Sequence, residues 1–247
     1  MTRKQRAMLT GAATLMSLAT AAIAQRPAPG FRFNREGANV VTNEPYSGVG
    51  VTTSTQTLSN GTNINRANCV KVYRDSSGRT RREETSQSST CSATPSRILI
   101  TDPVAGVEYM INTQNNTYRQ FSFKPPASGT STQSSNPPSR NPNAGQTTSL
   151  GTQPIQGTNL QAQGTQTVIT IPAGKAGNSQ SITITSTRWY SPDLQIVIQS
   201  TRTDPRMGTT NYQLSDVSTA EPDATLFQLP AGLTQQQGFQ GRGRRGR

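Results

Sequence analysis

Residues Thr165–Val217, TQTVITIPAGKAGNSQSITITSTRWYSPDLQIVIQSTRTDPRMGTTNYQLSDV, decide the fold class. Gln166–Ile171 is strand-like and stops at Pro172, and Ala173–Asn178 supplies a glycine-rich turn. In Ser181–Tyr190, Ile182 and Ile184 fall on one face, with Thr183, Thr185, Thr187 and Trp189 on the other. Ser191-Pro192-Asp193 turns the chain, and Leu194, Ile196 and Ile198 resume the apolar face. Asp204–Gly208 turns it again, and Tyr212 and Leu214 sit two apart on the last strand. Period-two alternation interrupted by Pro, Gly and Asp is the pattern of an antiparallel sheet built from hairpins.

The same reading extends toward the N-terminus. Gly48–Leu58, Ile64–Arg74 and Arg79–Thr85 read as strands joined at Asn60-Gly61 and at Asp75–Gly78. Arg97–Thr101, Val107–Asn112 and Thr117–Phe123 follow, joined at Asp102–Gly106 and Gln114–Asn116. Arg79–Thr85 is almost wholly charged, which suits a solvated face or a sheet edge. Lys124–Ser149 has neither aromatic nor branched aliphatic residues, so it buries too little to offset ordering entropy. Leu226–Pro230 reads as a short closing strand. The expected fold is all-β: a single curved antiparallel sheet, an incomplete barrel of ten or eleven strands with a disordered insert.

The expected organisation is a signal peptide at 1–24 and an extended N-terminal segment at 25–43. The two halves of the β domain fall at 44–123 and 150–233, either side of the insert at 124–149, with a flexible Arg/Gly tail at 234–247. Arg3, Lys4 and Arg6 precede a short apolar run, and Ala22-Ile23-Ala24 places cleavage between Ala24 and Gln25. That run is too short and too rich in small residues for a membrane span. The expected location is therefore periplasmic or extracellular, without a membrane-spanning segment. Export also favours a disulfide between Cys69 and Cys91.

Of the formal charge of +12, three positives belong to the signal segment and four to Arg242, Arg244, Arg245 and Arg247. Without those seven, 17 basic residues face 12 acidic ones, a balance of +5. The Arg/Gly tail then reads as a contact for anionic envelope polymers, with no specific nucleic acid as partner. The chain contains no histidine, which removes Ser-His-Asp and Cys-His nucleophiles and histidine metal sites. Glu83-Glu84 is the one adjacent carboxylate pair, and neighbours on a strand point to opposite faces. The residues thus point to a non-enzyme without cofactor or metal. Its expected role is to bind a lipid or acylated envelope component. The face proposed for that ligand is formed by Ile182, Ile184, Leu194, Ile196 and Ile198 with Trp189 and Tyr190. A structural or surface-interaction protein, and a carboxylate-based extracellular hydrolase, are the alternatives.

Val72–Glu83, Asp102–Gly106, Trp189–Leu194 and Leu226–Gly232 resemble motifs of uncharacterised exported bacterial proteins. The Trp-x-x-x-x-Leu strand, the Asp-Pro turn and the final Phe-x-x-Pro are similar to periplasmic lipoprotein carriers of the LolA/LolB type. The resemblance covers Glu44–Leu233 apart from the insert. It implies an incomplete, strongly curved antiparallel barrel with a hydrophobic concave face. The carriers close that cavity with helices, none of which is legible in this sequence, and no functional residue is carried over.

Overall fold

The computed structural model describes residues 40–124 and 145–236. The signal segment with its cleavage site at Ala24 and Gln25, most of the insert and the Arg/Gly tail lie outside the described residues. The first half contributes β1 (Tyr46–Thr57), β2 (Asn63–Arg74), β3 (Thr80–Ser86), β4 (Arg97–Asp102), β5 (Val107–Asn112) and β6 (Thr117–Ser122). The second half contributes β7 (Gln146–Pro154), β8 (Gln161–Ile171), β9 (Ile182–Ser191), β10 (Ile196–Asp204), β11 (Gly208–Ser218) and β12 (Thr234–Gln235). All twelve form one open sheet in the order β12-β6-β5-β4-β3-β2-β1-β11-β10-β9-β8-β7. Every pairing is antiparallel except that of β12, which runs parallel to β6.

The hairpin turns fall where Asn, Asp and Gly cluster. At the β10–β11 turn Gly208 has φ +87°, and a Cβ there would lie 2.0 Å from the Thr55 carbonyl oxygen of β1. Only glycine fits both that conformation and that approach.

Three local expectations are corrected. β3 is an interior strand between β2 and β4 rather than an edge. Its charges are accommodated by partners: Glu83 lies directly opposite Lys71 in the ladder and accepts from Arg81 Nε at 2.7 Å. Glu84 is held by Arg97 at 2.9 Å from Nε. Second, Leu226–Pro230 is not a strand; Ala224–Phe227 forms a 3-10 turn whose N-cap, Asp223, accepts from the Thr225 amide. A segment that ends in Pro230 also lacks a ladder donor at that residue. Third, β7 begins at Gln146, inside the stretch expected to lack structure. Its residues are almost all exposed, so backbone pairing with β8 holds it rather than burial.

Cys69 and Cys91 are bridged, with Cα atoms 5.4 Å apart. Cys69 is paired with Thr85 across β2–β3, and the chain after Ser86 doubles back, returning through the Ser96 amide to the Glu84 carbonyl at 2.8 Å. The bridge closes a loop of 22 residues and contributes about 3 kcal/mol. The Cys69→Ala/Cys91→Ala protein should lose about that much in urea denaturation. An unchanged midpoint would show that the β2–β4 ladder alone fixes the loop.

The sheet carries two apolar clusters, one on each face. Tyr46, Val70, Val72 and Leu214 belong to the larger, with Ile155, Ala162, Leu194, Ile196, Ile198 and Val217. The pairings Gly50↔Val70, Gly48↔Val72 and Gly50↔Leu214 put the first of these on one common face. Ile98, Ile100 and Ile111 form the smaller cluster. Ile98 and Ile100 pair with Glu83 and Arg81, which pair with Lys71 and Tyr73, the β2 positions alternating with Val70 and Val72. The smaller cluster is therefore on the opposite face.

Over the larger cluster the second half folds back on the first. Arg74 on β2 donates from Nη2 to the Leu194 carbonyl in the β9–β10 turn at 2.7 Å. β2 and β10 are three strand steps apart, roughly 14 Å in a flat sheet, further than one arginine reaches. Sheet and turn must curl over this face. The β7–β8 turn makes a similar approach, with Gly157 close enough that a Cβ would sit 3.1 Å from the Val217 carbonyl oxygen of β11.

Candidate functional site

Of the residues expected to form a ligand face, Leu194, Ile196 and Ile198 are core, only 1%, 4% and 5% exposed. They are filled in by their neighbours and present no free surface. Ile184 is buried as well and lies outside both clusters; Ile182 is half-buried at the start of β9. Trp189 is half-buried against the larger cluster together with Leu160 and Tyr212. Strict alternation places Trp189 opposite the isoleucines, but the β9–β10 register shifts between Val197 and Gln199. A bulge at Ile198 re-aims side chains locally and brings Trp189 onto the cluster. Its ring lies over Gly164, 2.5–2.8 Å from where a Cβ would stand, so glycine makes the space. Tyr190 is half-buried and carries the Arg188 guanidinium over its ring at 4.7 Å. The part of this region open to a ligand is thus the rim of Leu160, Trp189 and Tyr212, not the isoleucine face.

Arg74 closes one end of the cluster and is almost fully buried. Its guanidinium donates to the Glu44 and Leu194 carbonyls and stands over the Tyr46 ring at 4.7 Å. Its burial is not expected of an arginine that stands just before the Asp75–Gly78 turn. The signal was present: Val70, Val72 and Arg74 are spaced two apart, so Arg74 shares the core face. Asp75 beside it is equally buried and bonds the Arg79 amide and Nε at 2.8 and 2.6 Å.

On the opposite face residues 219–236 form a strap over the smaller cluster. The Glu221 carboxylate accepts from the Ser76 amide and hydroxyl. Those two bonds, the hydroxyl first, lower its pKa below the usual carboxylate range. This clasp is complete above the ordinary carboxylate pKa and is lost as the pH falls through the lowered one. Arg81 Nη1 donates to the Leu226 carbonyl at 2.9 Å, and Arg79 stands over the Phe227 ring at 5.2 Å. Leu229 and Leu233 pack on Ile98, Ile100 and Ile111 beside Tyr109 and Tyr118.

The acidic groups are engaged separately. Glu83 and Glu84 diverge to Arg81 and Arg97, as their adjacent strand positions require. Asp204 is held below the usual range first by the Arg206 side-chain hydrogen bonds. Among the described residues no group of three His, Cys, Asp or Glu side chains converges as a metal site. No helix among them is long and apolar enough to cross a membrane.

No family model matches the chain, and no curated protein matches it. Solved structures are similar at the level of fold. MucB in complex with MucA(peri) is 12% identical over 77% of this chain and 56% of that one, with a TM-score of 0.41. The LolA superfamily protein NE2245 from Nitrosomonas europaea is 7% identical over 78% and 94%, with a TM-score of 0.32. LprF from Mycobacterium bovis is 11% identical over 73% and 90%, with a TM-score of 0.29. The chain spans 56% and 60% of the lengths of the two MucB structures it matches. It is weakly similar in fold to a LolA superfamily protein and to a putative outer membrane lipoprotein-sorting protein domain, and the similarity is one of fold alone.

Proposed function

We propose that this chain is an exported, non-catalytic binding protein of the cell envelope. Its ligand or partner is apolar or acylated and is taken at the rim of Leu160, Trp189 and Tyr212. The observation that carries the reading is that these three large side chains pack on a filled core yet are only partly buried. Aromatic side chains with one face packed and the other open supply rigid apolar contact area. The signal segment supports export, and the Arg/Gly tail suits anionic polymers of the same compartment.

Trp189 is the one tryptophan of the chain and reports directly on the rim. Titration with a palmitoylated pentapeptide should shift its emission, and the unacylated peptide should not. Leu160→Glu should weaken the response without disturbing the far-UV spectrum, because Leu160 stands outside the buried set. A folded wild-type protein with no emission change toward the acylated peptide would defeat the reading. The structural role would then lead, favoured already by the filled Leu194–Ile196–Ile198 face.

A further inference from the structure

The strap shows what its own groove recognises. At the upstream end the groove offers the Ser76 amide and hydroxyl to a carboxylate. In the middle Arg81 donates to a main-chain carbonyl, that of Leu226. Ile98, Ile100 and Ile111 take apolar side chains, and Phe227 is buried beneath Arg79. At the downstream end the β6 edge accepts main-chain amides: Thr234 to the Asn116 carbonyl at 3.0 Å and Gln236 to the Tyr118 carbonyl at 2.8 Å. Apart from the carboxylate and the ring beneath Arg79, these contacts read backbone or generic apolar surface. That combination is how a sheet edge with flanking pockets binds an extended peptide.

We propose that this groove is a binding site for an extended apolar peptide segment of a partner protein, for which residues 219–236 act as the tethered competitor. The partner segment would carry an acidic residue about six positions ahead of its first apolar anchor, as Glu221 stands to Phe227, with further anchors in the places of Leu229 and Leu233. It would add to β6 in the parallel direction that β12 already takes. The strap is suited to yield, since its ladder is only two residues long and its acidic clasp is exposed. Because the strap is covalently attached, it competes at a high effective concentration and keeps the groove closed in the absence of partner. This site is on the opposite face from the larger cluster, so it and the acyl-ligand reading can fail independently.

The test uses the full chain and a fluorescently labelled peptide of residues 219–236, with a scrambled peptide as control. Leu233→Asp should detach the strap while leaving the groove walls intact, and should bind the labelled peptide at least ~tenfold more tightly than wild type. Glu221→Gln, at an exposed position, should give a smaller gain in the same direction and serves if Leu233→Asp does not fold. Thr117→Cys/Thr234→Cys, oxidised, should bind no peptide, since these residues are direct neighbours across the β6–β12 ladder. Loosened variants that keep the native far-UV spectrum yet bind no better than wild type would overturn the proposal. So would a crosslinked protein that binds as well as the uncrosslinked one, or equal binding of the scrambled peptide.

Discussion

Ile196→Glu should leave the protein unfolded or nearly so in the absence of denaturant. Ile196 is 4% exposed within the cluster of Leu194, Ile198, Leu214 and Val217. Losing its apolar contacts costs about 2–3 kcal/mol. Placing a carboxyl group there, without a partner, costs several more whether it is ionised or neutralised. The sum, on the order of 5 kcal/mol, is comparable to the whole stability of many domains. Urea denaturation followed by far-UV circular dichroism measures it, with Thr53→Glu as an exposed strand control. A folded Ile196→Glu protein with a midpoint near wild type would show that the cluster is open to solvent. A loss of that size makes Ile196 unsuited to a test of ligand binding, which belongs at Leu160 and Tyr212.

Arg74→Met should cost about 3 kcal/mol even though it keeps the side-chain stem. The guanidinium serves two carbonyls, of Glu44 and Leu194, that belong to segments far apart in sequence. Both acceptors lose their donor in the variant, and a buried unsatisfied group costs about 1–3 kcal/mol. The stacking on Tyr46 is lost as well. Arg74→Lys should recover only part of the loss, because a single ammonium does not reproduce the planar fork. Thermal melting of the three proteins orders them, and a wild-type melting temperature for Arg74→Met would remove Arg74 from its role as the closure.

The hairpins were legible because their signals are local. Asn60-Gly61, Asp75–Gly78 and Asp102–Gly106 sit between alternating runs, and each became a turn between paired strands. What escaped was whatever depends on residues far away in the chain. The charged β3 reads as an edge until Lys71, Arg97 and the strap residue Leu226 are known to partner it. Trp189 faces away from the isoleucines by simple alternation, and only the bulge opposite it in β10 reverses that. β7 has no apolar pattern because an outer strand joined by its backbone does not need one. The isoleucines expected to meet a ligand are apolar for an older reason, the packing of the core. Composition does not distinguish a filled face from an open one, since both are apolar.

β6 and β7 are consecutive in the chain but stand near opposite ends of the sheet, and residues 125–144 join them. A cut in that connection would sever none of the strand pairings among the described residues. The two pieces would still meet along β1 and β11, paired from Ser47↔Ser218 to Thr55↔Thr209. The strap travels with the second piece yet packs on the isoleucines of the first, and Arg74 of the first piece caps a turn of the second. Each piece thus carries a component of the other's core. Such a protein behaves as a heterodimer written on one chain, in which the linker supplies proximity and the interface supplies the fold.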